Sequence, residues 1–440
     1  MQNEIFEKAP VPKAYFTMAL PVVFSMVISL AYNMVDTYFI AGTGNTDLVA
    51  GVSLGAPVFT LMIALGDIFG LGGSSVISRM YGKNQDDDAK RMSVFCFYGA
   101  ILCGILVIII MMAFRPAILG ILGADASTYK YASQYYTGIV LGAPLIILSF
   151  TPSNQLRTEG LANPSMIGSI LGAVINMILD PIFISILGFG AGGAAAASVI
   201  GYVFTDIYFT WILLKKSKKL SVNPKGFYIT KEELKPIFTI GIPASITNLM
   251  QSFGIMMTNR FLLPYGNDKV ASMGIVMKIN MIAVLVLVGF AFGGQPLIGY
   301  NYGARNQKRL KEILSFCYKF ECGLASVLAI ILCVAARPLV GIFMDKPEII
   351  SIGMQMLRFQ QIGMIFMAVV LVTTCTFQSA GKASGAFWLS VSRQGLIFAI
   401  VIFIASKTVG YTGVIAAQPV SDFLTAVLAV VLFRKHMGKL

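Results

Sequence analysis

A chain of 440 residues that is 57% hydrophobic and only 12% charged, at a mean hydropathy of +0.79, is not a water-soluble domain, where roughly 25% of residues are charged. Six cysteines without CxxC spacing and one histidine, His436, argue against a disulfide frame or zinc chemistry. A net charge of +13 would suit nucleic acid as a partner, but its distribution along the chain excludes that reading.

Residues 1–13 mix acids with bases, so no cleavable leader is expected there. Twelve apolar runs follow, at 14–40, 48–78, 89–113, 128–150, 161–186, 191–214, 236–263, 268–299, 308–333, 348–376, 384–405 and 410–433. Each is near or above the ~20 residues that span a bilayer as a helix. Barrel strands, which alternate over ~10 residues, do not fit such continuous runs. The first run carries Tyr32, Asn33, Met34 and Asp36 in NMVDTYFI, and the second carries Asp67 beside glycines. Asp86–Asp88 open the third, where acids complement the helix dipole. Asn176, Asp180 and Pro181 lie in the fifth run, and Ser198 and Asp206 in the sixth. A hydrophilic stretch, 215–235, then separates two blocks of six runs. The domains predicted are a first lobe over 1–214, a cytoplasmic linker over 215–235 and a second lobe over 236–440.

The second block repeats the first at a shift of 220 to 222 residues. Pro21 falls on Pro243, Gly44-Asn45 on Gly266-Asn267, Gly72-Gly73 on Gly293-Gly294, Tyr81-Gly82 on Tyr302-Gly303, Arg115-Pro116 on Arg337-Pro338 and Gly160 on Gly381. With an even number of spans in each block, the repeats run parallel, which predicts a cleft between two lobes and alternating access across it. If the amino terminus is cytoplasmic, the inner connections hold 22 Lys and Arg and the outer ones five. By the positive-inside rule this bias puts both termini in the cytoplasm, and the positive charge is a topology signal.

A charge at the bilayer centre costs between ~3 and more than ~10 kcal/mol, so each acid within a span needs a reason. Asp36 lies about five residues, or ~8 Å, from the outer end of its span, and Asp180 lies at a similar depth. Tyr32 and Asn33 share a face with Asp36, Asn176 shares one with Asp180, and Ser198 enters to a comparable depth. Burial and a neighbouring carboxylate favour the protonated form, so the pair can take up and release protons. Alternatively, Asp36, Asp180 and Asn176 supply oxygen ligands for Na⁺. In the second block Lys278, Glu321, Arg358, Arg393 and Asp422 lie within spans and are expected to pair, because a lone buried ion is costly.

The hairpin ends SSVISRMYGKNQ and GQPLIGYNYGARNQKRLKE, together with NMVDTYFIAG, NMILDPIFI and LRTEG, resemble the multidrug and toxic compound extrusion (MATE) family, in its MepA-like branch. The resemblance implies an all-α integral membrane protein whose twelve helices form two six-helix lobes in a V, related by a parallel pseudo-two-fold repeat. It implies export of organic cations against inflowing H⁺ or Na⁺ across a bacterial cell membrane. It puts the coupling site at Asp36, Asp180, Asn33, Tyr32, Asn176 and Ser198, with Ser198 in place of the more usual Thr. Relatives with a second-lobe Na⁺ site carry a Glu where this chain has Gln251, so coupling is expected to rest on the first lobe. Asp67, Met34, Phe253, Met256, Met257 and Met281 are candidate contacts for a bulky guest, methionine being adaptable. No GxxxxGK[ST] loop and no catalytic constellation is present, so neither an ATP-driven pump nor an enzyme is expected. No cofactor is expected beyond the coupling ion, the lipid bilayer is the surrounding partner, and no oligomeric state is implied. The alternative is a lipid-linked saccharide flippase of the same superfamily, with Lys278, Arg358 and Arg393 facing a pyrophosphate.

Overall fold

The computed structural model describes residues 2–225, 228–343 and 346–438; Lys439, counted among the inner charges, lies outside them. Among the described residues the chain is helical, with no β-strand. A short α1 (Gln2–Glu7) precedes three long helices, α2 (Val11–Gly42), α3 (Thr46–Gly82) and α4 (Asp86–Ala113). After the short α5 (Arg115–Ile121), the fourth expected span is two helices, α6 (Tyr129–Leu141) and α7 (Ala143–Thr158), bent by 50°. Next, α8 (Ala162–Asp180) runs into a π-helical turn, Pro181–Ile186, and α9 (Gly190–Lys215) ends the first half. The second half repeats this order in α10 (Lys231–Leu262), α11 (Asn267–Gly303), α12 (Gln307–Val334) and the short α13 (Ala336–Phe343). A bent pair follows, α14 (Pro347–Ile362) and α15 (Met364–Ala380), at 44°. Finally α16 (Ala383–Val391) passes through a π-helical turn, Ser392–Leu396, into α17 (Ile397–Thr408), and α18 (Tyr411–Met437) closes the chain.

Nine helical segments are long and apolar enough to cross a membrane, and the bent pairs bring the number to 11 among the described residues. Helix α10 has the length, 32 residues, but Thr247, Asn248, Gln251 and Ser252 interrupt its apolar run. The set is consistent with the twelve expected spans. This is an all-α, multi-pass membrane protein.

The repeat read from sequence landmarks also appears in the backbone. Both bends fall at matching glycines, Gly142 and Gly363. A Cβ on Gly142 would lie 2.3 Å from Val199, and one on Gly363 would lie 2.8 Å from an Asp422 carboxylate oxygen, so neighbouring helices press directly on each bend. Left-handed residues recur in step: Asn84 (φ 58°) with Arg305 (φ 54°), and Gly160 (φ 83°) with Gly381 (φ 73°). Asn84 and Arg305 bear a Cβ that disfavours this conformation, and each leaves the second long helix of its half.

The contacts divide the chain into two compact units, Met1–Ile5 with Phe24–Ser245, and Phe6–Val23 with Ile246–Leu440. The predicted lobes, 1–214 and 236–440, follow chain order and do not contain this exchange of leading half-helices. Tyr15 explains one side of it. Its ring lies 5.3 Å from Phe316 and 5.6 Å from Phe320, and its hydroxyl donates to Phe290 O at 3.0 Å. Thr230 and Glu233 explain the other. They form a capping box at the start of α10, with Thr230 N donating to Glu233 at 2.8 Å and Glu233 N to Thr230 at 3.3 Å. Arg91 of the first unit then pairs with Glu233 at 3.1 Å.

The first part of the linker is pinned to the first unit. The Glu159 carboxylate, 2% exposed, accepts from the backbone N–H groups of Lys218 at 2.7 Å and Lys219 at 3.1 Å. Ser93 Oγ donates to Ser221 O at 3.0 Å and accepts from Ser221 N at 2.9 Å.

Candidate functional site

The site is built where α8 and α9 touch. Gly168, Gly172, Asn176 and Asp180 recur every four residues on α8, so they share one face, and all four are buried. The two glycines let the helices approach closely, a common device between membrane helices. A Cβ on Gly172 would lie 2.9 Å from Gly201 O, and one on Gly201 would lie 2.7 Å from Gly172 O. One turn further along, this closeness brings Asn176 Nδ2 to Ser198 Oγ at 3.0 Å. Tyr32, reaching in from α2, brings its hydroxyl to the same Ser198 oxygen at 3.4 Å.

Asp180 ends this face with no exposed surface, and among the described residues neither of its carboxylate oxygens has a hydrogen-bond partner. Asp36 Oδ1 and Asn176 Oδ1 are likewise buried without partners. Asp36 lies within electrostatic reach of Asp180. Beyond Asp180 the α-helix gives way to the π-helical turn, beginning at a proline that has no N–H to donate. Such turns often mark functional positions in helices. Beside the cluster is a cavity of about 140 Å³ lined by Tyr32, Asn176, Ser198, Tyr202, Thr205 and Phe209, among others. Among the described residues no three His, Cys, Asp or Glu side chains converge as a metal cage.

The structure thus brings together five of the six predicted coupling residues, Asp36, Asp180, Asn176, Ser198 and Tyr32. Asn33 is not in the cluster: its side chain is on an exposed face of α2 and donates to Ser29 O in the same helix at 2.7 Å. Two phenols missing from the sequence reading lie beside the acids. Tyr135 is in electrostatic reach of both Asp36 and Asp180, and Tyr202 of Tyr32 and Tyr135. Tyr202 had a weak signal, standing one turn after Ser198. Tyr135, on α6, had none.

The chain matches the MatE family over residues 21–182 and 243–408, one stretch in each half. It belongs to that family. The multidrug export protein MepA of Staphylococcus aureus (strain MSSA476) is 32% identical over 427 residues, 97% of this chain and 94% of the relative. The protein of the same name from Staphylococcus haemolyticus (strain JCSC1435) is 30% identical over 424 residues, 96% of this chain and 93% of the relative. Among solved structures, an outward-facing multidrug resistance MATE family transporter of the MOP superfamily has a TM-score of 0.93 at 24% identity, covering 100% of this chain and 98% of that one. A MOP superfamily transporter from Pyrococcus furiosus Vc1 (DSM3638), described as having a binding pocket of reversed polarity, has a TM-score of 0.92 at 24% identity, covering 99% of this chain and 98% of that one. At that identity the two structures speak to fold alone.

In this MatE chain the second unit has no copy of the acid cluster. At the repeat shift Asp36 falls on Thr258, Asn176 on Ile397 and Ser198 on Gln418. The expected pairing of five charged residues is found for two: Arg393 Nε meets Asp422 Oδ1 at 2.8 Å, and Gln418 Nε2 donates to the same oxygen at 2.9 Å. Glu321 is corrected. It is fully buried, and its carboxylate accepts from Tyr15 OH at 3.3 Å and makes no ion pair among the described residues. The half-helix exchange supplies that phenol, which chain-order lobes could not anticipate. Lys278 and Arg358 are not covered by neighbouring helices and form no ion pair among the described residues, Arg358 Nε donating to Cys333 O at 3.4 Å; no acid among those residues packs against either side chain, so the expected pairing is not found for them. Of the candidate guest contacts, Met34, Met256 and Met281 are exposed, while Asp67 and Phe253 are half-buried. Met257 packs against the second unit's core beside residues such as Leu262 and Val276.

Proposed function

We propose that this protein is an ion-coupled antiporter that exports organic cations across the cell membrane by alternating access, with Asp36 and Asp180 as the proton-binding pair. One observation carries the reading: two neighbouring acids are sunk into a membrane bundle and make no ion pair among the described residues, and Asp180 has no hydrogen-bond partner there on either oxygen. An unpaired charge there costs ~3 kcal/mol or more, and binding a proton removes that cost. Loading from outside neutralises the pair and lets α2 and the π-helical turn repack. Release inside restores the negative charge that receives a cationic guest. The names of the MepA relatives support multidrug export, and the excess of basic residues in one set of connections supports two cytoplasmic termini.

A second reading, Na⁺ as the coupling ion, rests on the partnerless Asn176 Oδ1. With Asp36 Oδ1 and both Asp180 oxygens it offers four free oxygen ligands, which suit a hard cation. The flippase alternative is not favoured, because the chain matches the MatE family, its MepA relatives are named for multidrug export, and Arg393 is tied to Asp422.

The test is efflux of a fluorescent cation from vesicles under an imposed pH or Na⁺ gradient. Asp36→Asn and Asp180→Asn are each expected to abolish the response to the driving gradient and to weaken binding of the cationic dye, because each removes one charge of the pair. Gradient-driven efflux at the wild-type rate in both variants would refute the proposed site.

A further inference from the structure

Asp206 is a further buried acid of the first unit, and neither the coupling cluster nor packing accounts for it. It stands on α9 eight residues past Ser198, about 12 Å along the axis at 1.5 Å per residue, toward the Lys215 end. It is 6% exposed, and among the described residues neither of its carboxylate oxygens has a hydrogen-bond partner. An acid kept for structure satisfies its oxygens, and a partnerless one in a membrane helix is a functional candidate.

What lies between Asp206 and the acid pair is a set of hydroxyls. Tyr135 is in electrostatic reach of Asp36, Asp180 and Tyr202. Tyr202 is in reach of Tyr32 on one side and of Asp206 on the other, and it stands one turn before Asp206 on the same face of α9. Tyr32, Ser198, Tyr202 and Thr205 also line the cavity, whose volume admits several waters and whose walls offer them polar partners. Tyr202 is within electrostatic reach of Asp206, and α7, which also packs on α9, carries the buried Arg157. From α8, Gly168 and Gly172 bring no titratable group, and Thr205 Oγ1 occupies Gly168 O at 3.2 Å.

We infer that Asp206 is the exit station for the coupling proton, receiving it from the Asp36–Asp180 pair through the Tyr32–Ser198–Tyr202 hydroxyls and cavity water. The step balances without a further reactant. The protonated acid of the pair gives its proton to a neighbouring oxygen, each oxygen in the row hands on one proton as it takes one, and the last forms the O–H of Asp206. The pair is left as carboxylate and Asp206 as neutral acid, which then releases the proton toward the linker side. This inference rests on the antiport reading of the previous subsection.

The experiment compares Asp206→Asn and Asp206→Glu with wild type in reconstituted vesicles, with Asp36→Asn and Asp180→Asn alongside. For Asp206→Asn, efflux driven by a pH gradient is expected to fall about a hundred-fold, the low end of what a positioned proton-transfer group contributes. Substrate counterflow, which moves no net proton, and dye affinity stay at wild-type level. Asp206→Glu restores driven efflux with a shifted pH profile. Wild-type driven efflux in Asp206→Asn, or a parallel loss of driven efflux and counterflow, overturns the inference. If Asp36→Asn and Asp180→Asn also retain driven efflux, the antiport reading fails with it. If those two lose it and Asp206→Asn keeps it, only the exit station is refuted.

Discussion

Gly201→Ala adds one methyl group to the first unit and tests whether the α8–α9 approach holds the coupling site together. The new Cβ would sit 2.7 Å from Gly172 O, a backbone atom, and 3.4 Å from Asn176 Cβ. Relief to an ordinary contact requires the helices to part by roughly 0.7 Å or more, and overpacking of this kind costs about 1–3 kcal/mol. The same parting carries the Asn176–Ser198 hydrogen bond from 3.0 Å to about 3.7 Å, beyond bonding range. The variant is therefore expected to melt several degrees lower, at about 2–4 °C per kcal/mol, and to respond less to a pH gradient. Gly323→Ala is the control, because a Cβ there meets nothing within 4 Å and alanine is the better helix former by about 0.5–1 kcal/mol. Thermal unfolding in detergent and vesicle efflux read out both variants. A Gly201→Ala protein with wild-type melting and wild-type coupling would refute the claim that this glycine contact sets the site geometry.

Removing the Arg393 side chain (Arg393→Ala) leaves Asp422 buried without its cation, and loss of one partner of a buried pair costs about 3–5 kcal/mol. The double variant Arg393→Ala/Asp422→Ala should recover part of that loss in a thermal melt, and a double variant no more stable than the single would contradict the pairing. Asp125, in the connection between α5 and α6, accepts from the backbone N–H of Thr128 and from the hydroxyls of Thr128 and Ser127, which lower its pKa from 3.8 to about 2. A lowered carboxyl pKa stabilises the turn above the ordinary value and loses that contribution as pH falls from about 4 through 2. Proteolysis of the 122–128 connection should accelerate over that window in wild type and show no such step in Asp125→Asn.

Much of the site was legible because its signals are local. Asn176 and Asp180 are four residues apart on one helix, Tyr32 and Asp36 likewise, and a charge in an apolar run stands out whatever the fold. Asn33 shows the limit of that reasoning: three residues from Asp36, it turns to its own helix backbone instead. Tyr135 shows the complementary limit, since a tyrosine on a distant helix joins the cluster only when α6 has packed into the first unit.

Chain-order patterns alone determined the membrane class, the approximate spans and the repeat, because a bilayer demands about 20 apolar residues per helix and a duplicated backbone keeps its turns at duplicated glycines. Tertiary packing decided the rest. It passed Phe6–Val23 to the second unit and Ile246 onward away from Ser245, bent two spans at glycines pressed by their neighbours, and gave Glu321 a phenol where a cation was expected. Those outcomes depend on which surfaces meet across hundreds of residues, and hydropathy, which is summed residue by residue, carries no record of partners.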